Sequence, residues 1–291
     1  MPARTVPSGR LAGYARGMTL EHFDHAPIWL LGCGNMAGAM LSRWLDQGLD
    51  PASVTVIRPS GAPVAPGVRV LTAVPDEAPP AILMLGVKPQ RLGDVAPAVR
   101  VAVGQGTLLV SILAGVRIET LSKHFPEAGA ILRVMPNTPV AVGKGVLPLI
   151  TRQETPHILR AAAEKLMAPL GLVEWVADEA SFDLITALSG SGPAFLFRFV
   201  DALGAAAADL GLPADQAARF ALATVEGAAL LAASSDEDPG KLADRVASPG
   251  GSTRKGLDVL DEEGALRTLL RRTLDAATKR NAEMAAEALR A

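Results

Sequence analysis

Residues 248–253, with the sequence Ser-Pro-Gly-Gly-Ser-Thr, have the residue types of a loop that binds a small anion. The proline fixes one φ angle, and the two glycines allow a tight turn that approaches a ligand closely. A helical pattern over residues 254–263 follows at once, so Ser252 or Thr253 is expected to be its N-cap. N–H groups at a helix start have no partner within the helix and attract negative charge. The loop therefore predicts a site for a small carboxylate, with a capped turn that binds no ligand as the alternative.

A second glycine-rich turn lies far upstream. An apolar run at residues 28–31 is typical of a buried strand, and a helical stretch continues to about residue 47. Strand, glycine turn and helix in that order are the context of a dinucleotide-binding fingerprint. The third glycine stands one place late, at Gly38, with alanine at the usual position. We predict that this turn contacts pyrophosphate, and its residues are Gly32, Cys33, Gly34, Asn35, Met36 and Ala37.

Residues just after the second strand bear on the choice of cofactor. An NAD-preferring site usually places an acid here for the ribose hydroxyls, but this chain has Arg58 and Ser60. A cation and a hydroxyl suit the additional phosphate of NADP. We therefore expect NADPH as cofactor, with NADH possible; a solvated loop arginine is the alternative.

Three more segments follow predicted strands, at the edge where ligands bind in parallel sheets. The first contains Val87, Lys88 and Pro89, the second contains Ala114, and the third contains Asn137 between two prolines. Lys88 is either a surface charge or a neighbour of the cofactor. Asn137 either contacts the cofactor or only closes a turn.

The order of elements predicts an α/β fold in front and an all-α region behind. Repeated strand–helix units up to about residue 176 indicate a parallel sheet with right-handed crossovers, a Rossmann-like domain over residues 27–176. From residue 177 to 291 the strand pattern is absent, and the alanine-rich helices there are expected to bind substrate and form a dimer. Residues 1–26 resemble a disordered tail, or an extension upstream of the true start at Met18.

Composition excludes several other classes of protein. The net charge of −2 gives no basic excess for nucleic acid or a membrane surface, and no long uncharged apolar run spans a bilayer. The single cysteine cannot form an intrachain disulfide, which agrees with a reducing, cytoplasmic location. No Cys/His cluster predicts a metal site, and no Gly-x-Ser-x-Gly motif predicts an esterase.

A nucleotide site and an anion site without a strong acid–base residue suit hydride transfer to an activated carbon. None of the four histidines adjoins a glycine turn, and the only tyrosine is Tyr14. Reduction of a carbonyl group normally needs such a proton donor. A protonated imine does not, because its positive charge already activates the carbon; the protein then has chiefly to align donor and acceptor.

Five blocks in one order carry a resemblance to pyrroline-5-carboxylate reductases, from about residue 28 to the C-terminus. They are residues 32–36, 87–89, 135–139, 189–194 and 248–253. The resemblance implies reduction of the cyclic imine pyrroline-5-carboxylate to L-proline by NADPH or NADH, the last step of proline biosynthesis. It also implies a homodimer through the C-terminal helices, often assembled into rings of dimers.

The same resemblance implies roles for individual residues. Thr253 is the catalytic position, with its hydroxyl near the ring nitrogen of the substrate. The substrate-binding positions are Val246, Ser248, Gly250, Gly251, Ser252, Thr253 and Asp236. In this chain Phe195 stands where many relatives have tyrosine, so a hydroxyl there is absent. The segment 72–77 also lacks an asparagine often found near the adenosine.

Two other enzyme classes are compatible with parts of this pattern. A reductase of another cyclic imino acid differs only in the shape of its pocket, which sequence does not define. A β-hydroxyacid dehydrogenase has a similar two-domain plan but uses a lysine in the helix after the interdomain region, and residues 194–210 contain none. A third possibility is an NADP-sensing protein without activity, which the intact 248–253 loop argues against.

Overall fold

The computed structural model describes residues 26–288, so the predicted tail lies almost wholly outside the described residues. Spatial contacts divide the described chain into two compact units. The sheet unit contains residues 26–193 and 274–288, and the helical unit contains residues 194–273. No helix among residues 26–288 is long and apolar enough to cross a membrane.

The sheet unit contains one eight-stranded sheet with the strand order β3-β2-β1-β4-β5-β6-β7-β8. Strands β1 to β6 run parallel, with β1 between β2 and β4. Except for β3 at the edge, these short strands are buried on both faces, as expected where helices cover both sides of a parallel sheet. The strands are β1 Ile28–Leu31, β2 Val54–Ile57, β3 Arg69–Leu71, β4 Ile82–Leu85, β5 Leu108–Ser111, β6 Ala130–Val134, β7 Gly145–Thr151 and β8 Gly171–Trp175.

Strand β7 is the element that the sequence did not predict. It runs antiparallel to β6 and parallel to β8. Its interior carries Pro148, which disfavours a strand prediction because proline cannot donate to a strand ladder. The sheet therefore ends in an antiparallel addition to an otherwise parallel Rossmann-like order.

Helices cover the sheet on both faces. One core packs α1 and α4 on the sheet, and the Trp44 indole N–H donates to the Leu166 carbonyl oxygen at 2.7 Å. A second core packs α2 and α3 on the opposite face, around Leu92 and Phe125. The helices of this unit are α1 Asn35–Asp46, α2 Leu92–Arg100, α3 Ile118–His124, α4 His157–Met167 and α5 Glu179–Ile185.

The division between compact units differs from the expected boundary at residue 176. The change from strands to helices does fall between Trp175 and Glu179. However, α5 stays with the sheet unit because Phe182 is fully buried in a small core with Ile118 and Ile150. The end of the last helix joins the same unit, since the Asn281 side chain donates to the Asp183 carbonyl oxygen at 3.2 Å.

The helical unit is built from long helices with exposed apolar faces. A π-helical turn, Thr186–Gly190, leads into α6 Gly192–Asp209, which begins two residues before the predicted start. Phe197, Phe220 and Leu231 are more than half exposed. Exposed apolar area of this kind is typical of surfaces that bind a protein or another ligand. The remaining helices are α7 Ala214–Ala233, α8 Pro239–Arg245, α9 Ser252–Asp261 and α10 Ala265–Ala288, of which α10 begins in the helical unit and ends in the sheet unit.

Candidate cofactor and carboxylate sites

The predicted dinucleotide turn joins β1 to α1 at the carboxyl end of the sheet. Gly32 has a φ angle of 82°, and a Cβ atom there would lie 2.9 Å from the Gly86 carbonyl oxygen. The Gly32 N–H donates to the Ile57 carbonyl oxygen at 2.8 Å, and the Gly86 N–H donates to the Leu31 carbonyl oxygen at 2.9 Å. Only glycine fits at position 32, because the turn has a left-handed backbone and packs closely against Gly86, just after β4.

The start of α1 has the properties of a phosphate site. Its N-cap is Gly34, which has no side chain to cap the helix, and the first backbone bond runs from the Gly38 N–H to the Gly34 carbonyl oxygen at 2.7 Å. The N–H groups of Asn35, Met36 and Ala37 therefore precede the hydrogen-bond ladder of the helix. No atom lies within 4 Å of the position that a Cβ atom would take at Gly34. This open helix start fits a dinucleotide pyrophosphate.

Arg58 lies close enough to the dinucleotide turn to act on Cys33. Burial raises the pKa of the Cys33 thiol, and the positive charge of Arg58 opposes that rise. The backbone N–H of Arg58 donates to the Leu71 carbonyl oxygen at 2.9 Å, which fixes the backbone of residue 58 just after β2. The Ser60 hydroxyl accepts the Ala62 N–H at 3.3 Å. Arg58 and Ser60 thus stand at the same edge of the sheet as the turn.

The other predicted strand-end residues occupy this carboxyl edge too. Val87 and Lys88 follow β4, and Lys88 is the exposed N-cap of the 3-10 turn Pro89–Arg91. Ala114 follows β5 and is half-buried. These positions suit the half of a dinucleotide that extends from the turn away from Arg58.

Asn137 has a structural role. Its side chain is buried, with Nδ2 donating to the Ser189 carbonyl oxygen at 2.9 Å and Oδ1 accepting the Val146 N–H at 2.8 Å. Both ends of the amide are therefore engaged with the protein. This geometry supports the turn-closing alternative, and contact with the cofactor through this side chain stays a prediction.

The 248–253 loop leads into α9 with a different cap from the expected one. Gly251 is the N-cap, Ser252 is the first helical residue, and neither Ser252 nor Thr253 caps the helix with its side chain. The prediction was wrong because Gly251 already adopts the extended backbone that a cap requires, so the hydroxyls are left exposed. The first backbone bond runs from the Lys255 N–H to the Gly251 carbonyl oxygen at 3.2 Å.

The rest of the loop is shaped by local bonds. Gly250 turns the chain with a φ angle of 72°, and the Gly251 N–H donates to the Ser248 carbonyl oxygen at 3.0 Å. Val246, just after α8, is 66% exposed, and Asp236 is exposed in the turn between α7 and α8. This loop lies in the helical unit, whereas the dinucleotide turn lies in the sheet unit.

Sequence reasoning missed four charged residues near the end of β5. Arg117 pairs with Asp183 at 3.0 Å, and Arg133 pairs with Glu179. The available signal was Arg133 itself, a charged residue inside an otherwise apolar strand. Within residues 26–288, no group of three or more His, Cys, Asp and Glu side chains is placed to hold a metal ion.

Comparisons with known proteins identify the family of this chain. Residues 179–284 match the family model for pyrroline-5-carboxylate reductase dimerisation, which supports a homodimer through the helical region. Residues 27–115 match the model for coenzyme F420-dependent NADP oxidoreductases, which supports a nicotinamide dinucleotide as cofactor.

Individual relatives cover most of the chain. Pyrroline-5-carboxylate reductase of Pseudomonas aeruginosa is 33% identical over 89% of this chain and 96% of the relative. The enzyme of Pisum sativum is 34% identical over 90% and 97%. The structure from Coxiella burnetii has a TM-score of 0.79 and 31% identity over 89% of this chain and 98% of that chain.

A structure from Plasmodium falciparum, solved with NADP bound, has the same fold with a TM-score of 0.79 and 24% identity over 90% and 99%. The expected fold, a Rossmann-like domain followed by a helical dimerisation region, is confirmed, and a β-hydroxyacid dehydrogenase is not favoured. The chain belongs to the pyrroline-5-carboxylate reductase family.

Proposed function

We propose that this protein reduces 1-pyrroline-5-carboxylate to L-proline with NADPH, the last step of proline biosynthesis. Beyond family membership, one observation carries the proposal. Both predicted ligand loops end at a helix whose N-cap is a glycine without a side-chain cap, Gly34 for α1 and Gly251 for α9. Each helix start therefore offers backbone N–H groups to an anion, a pyrophosphate at α1 and a carboxylate at α9.

The residues of the 248–253 loop bind and orient the substrate. The N–H groups of Ser252 and Thr253 stand before the first bond of α9 and receive the substrate carboxylate. The exposed Thr253 hydroxyl lies near the ring nitrogen, which carries the proton and becomes the amine. Other residues around this site line the pocket: Val246, Ser248, Gly250, Gly251 and Asp236.

A nicotinamide dinucleotide supplies the hydride when bound, and this chain's residues align it. Gly32 and the five residues after it hold the pyrophosphate, while Val87, Lys88 and Ala114 border the nicotinamide half. The carbon of the C=N bond accepts the hydride, so no side chain has to donate a proton during reduction.

Arg58 and Ser60 support a preference for NADPH over NADH. The positive charge of Arg58 acts on the dinucleotide turn, where it lowers the pKa of the Cys33 thiol against the effect of burial. A guanidinium group here suits a ribose 2′-phosphate, which it binds with two hydrogen bonds. NADH is the alternative hydride donor in this proposal.

The assembly proposed for this chain is a homodimer joined by the exposed apolar faces of the helical unit. Rings of such dimers and a cytoplasmic location are part of the same proposal. Equilibrium sedimentation separates monomer, dimer and ring directly.

The decisive experiment is an NADPH oxidation assay on three substrates side by side: pyrroline-5-carboxylate, pyrroline-2-carboxylate and a piperideine carboxylate. We expect the highest kcat/KM with pyrroline-5-carboxylate. A higher value with either of the others identifies a reductase of another cyclic imino acid. Binding of NADPH without oxidation on any substrate contradicts an enzymatic role.

A further inference from the structure

The rim segment, residues 113–117, follows β5 at the carboxyl edge of the sheet. Leu113 and Val116 are buried, and Ala114 lies between them. In the proposed function the adenosine end lies near Arg58, after β2. Because β1 separates β2 from β4, the nicotinamide half falls towards the ends of β4 and β5. The rim segment therefore borders the reacting half of the cofactor.

The end of this segment is joined to α5 by a charge network, which consists of Arg117, Arg133, Glu179 and Asp183. Glu179 Oε1 accepts the N–H of Ile118 at 3.2 Å, while Oε2 pairs with Arg133 on β6. Asp183 Oδ2 accepts from Arg117 Nη2 at 3.0 Å. Two carboxylates on consecutive turns of α5 thus bind Arg117, the last residue of the rim segment, and Ile118, which follows it.

The end of α10 contacts the same segment. A Cβ atom at Gly115 would lie 3.0 Å from the Met284 carbonyl carbon, so the rim and α10 meet backbone to backbone. Ala285 is 3% exposed at this contact. The Asn281 side chain fixes α10 by donating to the Asp183 carbonyl oxygen at 3.2 Å. The rim segment is therefore held on one side by α5 and also contacts the end of α10.

The network is a poor arrangement for stability alone. Arg133 is 2% exposed, with its guanidinium 4.4 Å from the centre of the Phe182 ring. Burial lowers the pKa of Arg133 to about 10, an effect that the Asp183 carboxylate opposes. Buried Arg117 Nε has no hydrogen-bond partner within residues 26–288. Apolar side chains of the same volume often give equal or greater stability than a buried ionic network.

We propose that Glu179 and Asp183 are positioning residues that hold the rim segment in register with the nicotinamide half of the cofactor. This inference rests on the proposed function. Directional bonds fix the segment where apolar contacts would let it slide. If they are lost, donor and acceptor carbons are misaligned while the pyrophosphate and adenosine contacts at α1 and Arg58 remain. A displacement of about 1 Å lowers the rate of the chemical step by up to ~100-fold.

The test compares Asp183→Asn and Glu179→Gln, which keep side-chain volume and remove one charge. For both we expect kcat with pyrroline-5-carboxylate to fall at least about tenfold, with KM for NADPH within about threefold of the parent. Phe125→Leu, a buried apolar change just after α3, controls for lost stability. Glu119→Gln, which breaks an exposed pair with Lys123 on α3, controls for lost charge. Both controls should keep kcat within about twofold.

Conservative replacement separates positioning from simple destabilisation. Arg117→Lys keeps the charge and should retain kcat within about threefold, whereas Arg117→Met should match the loss in Asp183→Asn. If Glu179→Gln does not fold, the changes at Asp183 and Arg117, whose side chains are 10% and 39% exposed, carry the test. Unchanged kcat in Asp183→Asn, or an equal loss in Phe125→Leu, overturns the proposal.

A second readout does not need turnover. Bound NADPH is followed by the fluorescence of its reduced nicotinamide. We expect Asp183→Asn to bind NADPH with nearly parental affinity but with an altered emission intensity. If the parent binds NADPH and reduces no imine, the proposed function fails. The emission of NADPH bound to parent and to Asp183→Asn still tests whether Asp183 positions the rim segment. Identical emission in parent and variant overturns the positioning role.

Discussion

Three glycines at the start of α1 allow the structural and the cofactor role of this turn to be measured separately. The decisive change is Gly34→Ala. Its φ angle of −83° suits any residue, and nothing lies within 4 Å of the added methyl group. An alanine N-cap costs a few tenths to about 1 kcal/mol, and the stiffer unfolded chain returns about 0.4–1 kcal/mol. The free energy of unfolding should therefore change by less than about 1 kcal/mol.

The effect of Gly34→Ala on binding should be larger. The methyl group occupies the space through which a pyrophosphate approaches the N–H groups of α1. Losing one hydrogen bond to a charged group costs about 1.5–3 kcal/mol, which corresponds to about 10- to 100-fold in affinity for NADPH. Fluorescence titration with NADPH measures the affinity, and urea unfolding followed by tryptophan fluorescence, with Trp29 and Trp44 buried, measures the stability.

Two neighbouring glycines supply the controls. Gly32→Ala combines a left-handed backbone, about 1–2 kcal/mol, with a 2.9 Å clash against the Gly86 carbonyl oxygen, about 1–3 kcal/mol. It should lower the free energy of unfolding by about 2–5 kcal/mol. Gly38→Ala lies inside α1, where its methyl group meets only Cys33 Sγ at 3.8 Å. It should stabilise the protein by about 0.5–1 kcal/mol and leave NADPH affinity unchanged.

Binding of NADPH by Gly34→Ala within threefold of the parent would refute a pyrophosphate site at the start of α1. The same holds if Gly38→Ala weakens binding as much as Gly34→Ala does, because the effect would then follow from any change in α1.

Three other changes test separate parts of the molecule. Arg58→Asp should erode the preference for NADPH over NADH, measured as the ratio of the two kcat/KM values, since it replaces the cation near the turn by an anion; an unchanged ratio removes Arg58 from the phosphate site. Thr253→Ala should slow imine reduction more than it weakens NADPH binding, and parental turnover contradicts the role of its hydroxyl. Hydrogen bonds from the Ser181 N–H and hydroxyl to Asp178, the N-cap of α5, lower the pKa of that carboxyl. The stability contributed by this ionised carboxylate is present above the unfolded pKa of about 3.9 and is lost as pH falls through the lower folded pKa. Asp178→Asn should therefore flatten the fall of Tm with acid below about pH 5, and parallel Tm curves would count against this.

Much of the sheet unit was predictable because its signals are local. Seven of the eight described strands, β1 to β6 and β8, coincide with short apolar runs in the sequence, and the turn after β1 shows its glycines directly. Strand β7 was missed because Pro148 breaks the local strand pattern, and only pairing with β6 and β8 makes it a strand. The cap of α9 was misassigned by one or two residues because serine, threonine and glycine are all acceptable caps; the backbone angles decide among them.

By itself, the sequence determined the fold class and the family and predicted two ligand loops, because each depends on residue types that are contiguous along the chain. Only the tertiary structure decided which distant polar residues meet around the segment after β5. Glu179 and Asp183 lie more than 60 residues from Ile118 and Arg117, and Asn281 lies 98 residues from Asp183. Whether such distant polar groups meet depends on how helices pack on the sheet, a sum of many weak apolar contacts that no local pattern encodes.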